Sequence, residues 1–446
     1  MVAAMSVLLV CGGVLTLSPP LPVVLACLVA GMCAALASPS AAAAGVAVAL
    51  PLVQRPVAIG GAKVTLLEIA LLTGGAAIAA RLLLSVRQAA WRSTVSALLR
   101  PNSVTACAGL LLLVAGLSLR TVADSRHSAE SLRSLRTVMV EPCIALALAR
   151  WVLIRRTQRI FVAALIATGM ATALWGMVNL LSEGGAVVAD GVARARGPYS
   201  HPNNLALYLD RVGLFATGVL LADPPRRRWL WFAPTLLLAG VGATLSRGAG
   251  AGVLAGGAWL VFTVKPKHGW RWLGAAAGGA LAAFGVFAAT RLTASGGAGG
   301  ESSRRLIWTA SLRMVRDHPI FGVGLDQFLA QYGRRYVSPA GWQERYTSHP
   351  HNIVLDVWLS LGLPGLLAAI LLAAAVLCSA RTTSSSTPSL RPLRIGAAAA
   401  LIGGLVHGTV DNGFFLPDLA TLTWVFIAMV GHEPELPPAQ KATGDG

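Results

Sequence analysis

The chain has 446 residues, 55% of them hydrophobic and 12% charged, with a mean hydropathy of +0.67. A soluble domain carries about 25% charged residues, so these figures exclude a string of soluble domains and point to an integral membrane protein with many spans. The formal net charge is +18, which fits basic loops beside anionic membrane lipids; the Arg residues are scattered between apolar runs, and that argues against nucleic acid as a partner.

Residues 1–54 are apolar and carry no charge before Arg55. They lack the basic start of a cleaved signal peptide and predict one to three spans, punctuated by Pro19-Pro20 and Ser38-Pro39-Ser40. Further hydrophobic segments follow at 63–84, 102–120, 137–154, 158–181, 203–222, 229–245, 249–264, 272–290, 352–380, 393–411 and 416–431. The expectation is an all-α, polytopic fold of about 12 to 14 spans. Cys11, Cys27, Cys33, Cys107, Cys143 and Cys378 all lie in apolar stretches without a C-x-x-C pair. They read as small hydrophobes, not as disulfides or zinc ligands.

Simple alternation of these spans puts five basic loops on one side. They contain Arg87, Arg92 and Arg100; Arg155, Arg156 and Arg159; Arg226-Arg227-Arg228; Lys265, Lys267 and Arg271; and Arg381, Arg391 and Arg394. The positive-inside rule makes that side cytoplasmic, together with the tail from His432. The other side receives 121–136, 182–202, the turn Ser246-Arg247-Gly248 and one long loop, 291–351. The loop 121–136 is itself basic, with Arg126, Arg133 and Arg136. In the long loop, Gly296 to Gly300 reads as flexible. Arg304 to Arg316 reads as a helix with Leu306, Ile307, Ala310 and Met314 on one face and Arg305, Arg313 and Arg316 on another. That pattern suits an amphipathic helix lying in the membrane interface. Asp317-His318-Pro319 stops it, and Gly322 and Gly324 permit a tight turn.

Four polar motifs fall on the outer side. They are Arg194 through Asn203-Asn204, Thr244 through Gly248, Arg305 through Gly324, and Ser348-His349-Pro350-His351-Asn352. His351 stands where the long loop enters a span, a costly place for a titratable group unless it acts there. His349 and His351 lack a carboxylate cluster in sequence or an H-E-x-x-H pattern, so no metal is expected. Glu68, Arg81, Glu141, Arg150, Asp210, Arg211, Asp356, His407 and Asp411 are further polar groups in apolar surroundings. His407 and Asp411 stand four apart on one expected helix and are the best case for a proton relay in a transporter.

Taken together these motifs resemble the O-antigen ligase and O-antigen polymerase superfamily of bacterial membrane glycosyltransferases. His351-Asn352, nine residues, then Gly362 and Gly365 is similar to the ligase pattern. Gly197 to Asn204, with Tyr199 at the aromatic place, resembles the family's Gly-aromatic-x-x-Pro-Asn loop. Ser246-Arg247-Gly248 resembles its Ser-Arg turn, and Arg305-Leu306-Ile307-Trp308 with His318 to Gly324 resembles the start of its outer loop. The resemblance spans about residues 190–370 and divides the chain into N-terminal helices 1–189, a catalytic region 190–370, and C-terminal helices with a short tail, 371–446.

The resemblance implies transfer of an oligo- or polysaccharide from polyprenyl diphosphate to an acceptor hydroxyl, outside the cytoplasmic membrane, without metal or cofactor. Acceptors open to this chemistry are a glycan, a lipid or a protein. His351, Arg247 and Arg196 are the implied catalytic residues. Arg194, Asn203, Asn204, Arg305, His349 and Asn352 are the implied substrate-binding ones. A polymerase of the same superfamily and a flippase for lipid-linked glycan remain the alternative readings. A flippase should show internal repeats, and none is evident.

Overall fold

The computed structural model describes residues 1–17, 19–59, 62–86, 90–99, 102–119, 127–182, 187–189, 192–264, 299–381 and 390–432. The expected span 272–290 lies outside the described residues, as do Arg87, Arg100, Arg126, Lys265, Lys267, Arg271, the start of the glycine-rich stretch at 296–298, and the tail beyond His432. The described chain is a bundle of apolar helices with two short antiparallel hairpins, Val57–Ile59 with Ala62–Val64 and Val187–Ala189 with Val192–Arg194. Among the described residues, six helices are long and apolar enough to cross a membrane: Leu66–Leu84, Ser128–Ile154, Gln158–Leu181, Pro202–Ala222, Arg247–Val264 and Ile353–Arg381. Shorter apolar helices fill the rest, including three in the first 54 residues, Val2–Thr16, Leu21–Ala37 and Pro39–Ala49. Large apolar side chains such as Leu84, Leu181 and Phe262 remain on the outside, as a lipid-facing surface requires.

Small residues let the helices approach. A Cβ on Gly218 would come within 2.6 Å of Gly396 Cα, and one on Gly256 within 2.7 Å of the Ala399 carbonyl. These glycines press Pro202–Ala222 and Arg247–Val264 against Arg391–Gly408. Such close backbone contact is the usual means of joining helices where lipid removes the hydrophobic drive.

Two expectations about loops need correction. The stretch expected as the basic loop 121–136 is helical from Ser128 and continues through a π-helical turn, Leu135–Val140, to Ile154. Arg136, although half exposed, is tied to the bundle by two acidic partners. It bonds Glu68 at 2.7 Å and also Glu141, so one guanidinium neutralises two buried carboxylates. The helix expected from Arg304 runs from Gly299 to Asp317, and its apolar face is turned to protein. Its face of Ile307, Ala310 and Met314 is covered by protein, namely Val323, Phe328, Tyr332 and Leu359.

The Gly-x-x-Gly of the His-Asn pattern builds the seat for this outer unit. The helix Ile353–Arg381 breaks at Gly362, at φ 72° and ψ −176°. Leu363 N–H then donates to the Ile320 carbonyl, while the Leu359 carbonyl accepts from Val323 and Gly324 N–H. A Cβ on Gly362 would lie 2.1 Å from the Ile320 oxygen, and one on Gly322 2.3 Å from the Leu359 oxygen. Only glycine tolerates both the positive φ and the contact. Trp358 Nε1–H donates to the Pro319 carbonyl at 2.7 Å and closes the joint.

Candidate functional site

Asp411 is where the polar motifs meet. It sits in the loop between Arg391–Gly408 and Pro417–Val430, almost fully buried. His351 Nδ1 lies 2.8 Å from its Oδ1, and Asn203 Nδ2 donates to its Oδ2 at 2.5 Å. His349 Nε2 and Arg304 Nη2 each stand 3.7 Å away. Burial alone would raise this carboxyl; the two imidazoles outweigh it and hold the pKa well below the usual carboxylate range. Asp411 is therefore a fixed negative charge.

Behind Asn203 the bonding continues. Asn203 Oδ1 accepts from Arg194 Nη2 at 2.7 Å, and Arg194 Nε donates to the Thr244 carbonyl at 2.7 Å. One unbroken line thus runs from the Thr244 turn through Arg194, Asn203 and Asp411 to His351. Arg194 comes off the hairpin strand Val192–Arg194, and Asn203 lies in the first turn of Pro202–Ala222. The loop between them is rigid. Gly197 takes φ 56°, where a Cβ would lie 3.3 Å from the Thr172 carbonyl. Ser200 N–H donates to Gln54 at 2.5 Å, and the Tyr199 hydroxyl donates to Asp418 at 3.0 Å. Arg196 is half-buried and Asn204 likewise.

His351 has φ 53°, a left-handed conformation that costs a non-glycine residue of the order of 1–3 kcal/mol and is held only by its surroundings. Those surroundings are visible. Asn352 Oδ1 accepts from Val354 and Leu355 N–H at 3.0 and 3.1 Å and caps the helix Ile353–Arg381. Its Nδ2 donates to the Thr409 carbonyl at 2.9 Å, and Trp308 Nε1–H donates to the Pro350 carbonyl at 2.9 Å. Asn352 is a cap and a tether. With Nδ1 engaged by Asp411, Nε2 is the nitrogen of His351 that a substrate can reach.

Ser246-Arg247 follows the Thr244 turn to which Arg194 is bonded. Leu245 also takes a positive φ, 50°, an outlier for so bulky a residue. It turns the chain so that the helix Arg247–Val264 starts with an exposed Arg247 in its first turn. A helix N-terminus and a guanidinium there both favour an anion. Arg305 is exposed too, whereas its neighbour Arg304 is the one that reaches Asp411.

Spacing in the sequence led to a pairing that the structure does not contain. His407 and Asp411 do not form an i, i+4 pair on one helix face, because the helix ends at Gly408. His407 Nδ1 instead lies 2.6 Å from Asp210, with Nε2 3.4 Å from Ser246 Oγ. Asp356 is taken by Asn412 Nδ2 at 2.7 Å. The intramembrane charges needed for a relay are divided among separate partners.

His349, His351 and Asp411 are a group whose ligand atoms lie within 4.8 Å of one another. A cation there would have to displace the His351–Asp411 bond and compete with Arg304 and Asn203 for the single carboxylate.

Residues 232–370 match a family model described as O-Antigen ligase. The matched stretch holds Arg247, Arg304, Arg305, His349, His351 and the Gly362 seat; Arg194 to Asn204 precede it in sequence and join it through Asp411. No curated protein matches the chain.

Proposed function

We propose that this polytopic membrane protein, whose residues 232–370 match a model of the O-antigen ligase family, transfers a glycan from a polyprenyl diphosphate to an acceptor hydroxyl at the outer face of the cytoplasmic membrane, in the manner of a ligase. The observation that carries this is the Asp411–His351 pair, set on a strained backbone, with Arg304 3.7 Å from the carboxylate and Arg194 joined to it through Asn203.

Diphosphate is a competent leaving group once its charge is held, so the reaction asks for fixed cations more than for a strong acid. Arg247 and Arg196 meet the diphosphate, and Arg304 and Arg305 close over it from the outer unit; guanidinium supplies paired donors for phosphate oxygens. Arg194 acts from behind, as the strut that holds Asn203 and the Thr244 turn. The acceptor hydroxyl loses its proton to His351 Nε2 while its oxygen bonds the anomeric carbon. The bond from that carbon to the phosphate oxygen breaks, and its electron pair leaves with the diphosphate. Asp411 fixes the tautomer of His351 and balances the imidazolium that forms. A single displacement inverts the anomeric centre. Asp411 is committed to His351 and Asn203, so it does not serve as a glycosyl nucleophile of the glycosidase kind.

Purified protein with a lipid-linked glycan and a panel of acceptors tests the reading. Transfer should depend on His351 and Arg247 and should produce acceptor-linked glycan instead of longer lipid-linked chains. Normal transfer by both His351→Ala and Arg247→Ala would overturn the assignment. Chain growth on the lipid would redirect it to a polymerase.

A further inference from the structure

The site contains a third imidazole. His201 is the N-cap of Pro202–Ala222, and its Nδ1 accepts the Asn203 backbone N–H at 3.2 Å. A ring nitrogen that accepts an N–H keeps its lone pair, so the proton sits on Nε2. The residue is exposed, although the residues on either side are locked: Ser200 by Gln54, and Asn203 by Arg194 and Asp411. Asn203 bonds the same carboxylate as His351, which places His201 at the rim of the same opening. Histidine is not among the residues that cap helices well; Ser, Thr, Asp and Asn are. Capping alone does not explain it.

The electrostatics keep this ring neutral. Burial of part of the ring lowers its pKa; Asp411 pulls upward, and Arg194, His351 and Arg304 push down further. The two histidines are therefore driven to opposite tasks. His351 has a carboxylate on Nδ1 and is prepared to accept a proton at Nε2. His201 has an amide on Nδ1 and presents an Nε2–H that it does not readily exchange for a charged state.

We propose that His201 is a substrate-contacting donor for the proposed reaction, its Nε2–H hydrogen-bonding a non-bridging oxygen of the departing diphosphate. This rests on the reading of the site given above. As the bond from the anomeric carbon breaks, the diphosphate gains one negative charge, and the hydrogen bond strengthens as it does so. No proton changes hands at His201; the proton released by the acceptor hydroxyl goes to His351. A neutral donor suits this place because it adds binding in the transition state without adding to the cations already present.

Two variants separate the donor from the cap. His201→Ser keeps a capping oxygen for the helix but has nothing that reaches the diphosphate. His201→Gln carries an amide N–H at about the reach of Nε2. In detergent-purified full-length protein with a lipid-linked glycan donor, kcat should fall about 100-fold in the Ser variant, the usual loss for one transition-state donor. KM should stay close to wild type, and the Gln variant should recover to within about tenfold. Unfolding temperature checks that both variants remain folded. A Ser variant as fast as wild type, a loss confined to KM, or a Gln variant no better than Ser would each overturn the proposal. Absence of transfer by the wild-type protein would instead strike the proposed function itself.

Discussion

Among the described residues, two carboxylate–imidazole pairs stand within hydrogen-bond distance, and they are chemically the same. His351 Nδ1 lies 2.8 Å from Asp411, and His407 Nδ1 lies 2.6 Å from Asp210. Their settings differ. The His407–Asp210 side chains are both 0% exposed, whereas His351 keeps 28% of its side chain open to the outside. The far nitrogen differs as well. Nε2 of His407 is spent against Ser246, and a Cβ on Gly248 would come within 2.4 Å of its ring. Access, and what surrounds the outer nitrogen, separates the two pairs; the pair itself does not. The closed pair fastens Arg391–Gly408 to Pro202–Ala222 and steadies the turn that carries Arg247. The open pair has Arg304 3.7 Å from its carboxylate.

The sharpest way to break this contrast is to delete both imidazoles. His351→Ala should lower transfer by about 10²- to 10⁴-fold, the range for a general base, with little change in unfolding temperature, since the ring is partly exposed. His407→Ala should show the reverse. It removes the hydrogen-bond partner of the buried Asp210, leaving only Arg211 at 3.9 Å, and a buried polar group that loses its hydrogen bond costs about 1–3 kcal/mol of stability. Thermal unfolding and turnover, measured on the same preparations, decide the matter. Equal loss of activity at equal stability in both variants would erase the distinction.

Asp411→Asn sharpens the open side. An amide at that place can present its N–H to Nδ1 and so favour the wrong tautomer of His351. Transfer should fall about 10²-fold or more by this route, while the matching Asp210→Asn should mainly lower the unfolding temperature. Retained transfer in Asp411→Asn would mean that the carboxylate is dispensable for orienting His351.

A smaller effect is expected at the joint beneath the open pair. Gly362→Ala places a side chain at φ 72° and 2.1 Å from the Ile320 oxygen. The strain alone is of the order of 1–3 kcal/mol, and the outer unit must shift to admit the methyl group. Limited proteolysis of the 299–352 unit should quicken, with the transmembrane core unaffected. Unchanged cleavage would show that the seat is not needed for docking.

Helix positions were largely legible in the sequence because lipid demands long apolar runs. The segment expected at 158–181 is the observed helix Gln158–Leu181, and 352–380 appears as Ile353–Arg381. His351, Arg194, Asn203 and Asn352 were readable as members of a polar group from motif spacing. Their division of labour was not. Arg194 and Asn352 differ from Arg196 and His351 only in what they touch, and contacts are not written in spacing. Asp411 illustrates the limit: four residues after His407, it reads as the next turn of the same helix. The helix stops at Gly408, and the following loop turns the carboxylate toward residues 60 and 208 positions away. Thr409-Val410-Asp411-Asn412-Gly413 was the available signal, a run of turn-forming residues at the end of an apolar stretch. The covering of the amphipathic helix Gly299–Asp317 was not legible for a related reason. An apolar stripe shows that a face is covered, but not whether lipid or protein covers it.

His349 provides the finest test of the two-pair contrast, because it belongs to the open side without holding the dyad bond. Its ring centroid is 4.3 Å from that of His351, and Ser348 Oγ lies 3.1 Å from its Nδ1. Burial works against its imidazolium, yet the carboxylates of Asp411 and Asp356 outweigh that and raise its pKa above the ordinary histidine value. A raised folded-state pKa means that the charged form stabilises the fold. That contribution is full below the unfolded value of about 6.5 and fades as pH rises through the higher folded value. Unfolding temperature should therefore decline on the alkaline side of neutrality, and His349→Gln should flatten that decline; because His349 is one of the two imidazoles that depress Asp411, the variant should also start to lose stability at higher pH on the acidic limb. An unchanged alkaline slope in the Gln variant would assign that slope to groups other than His349.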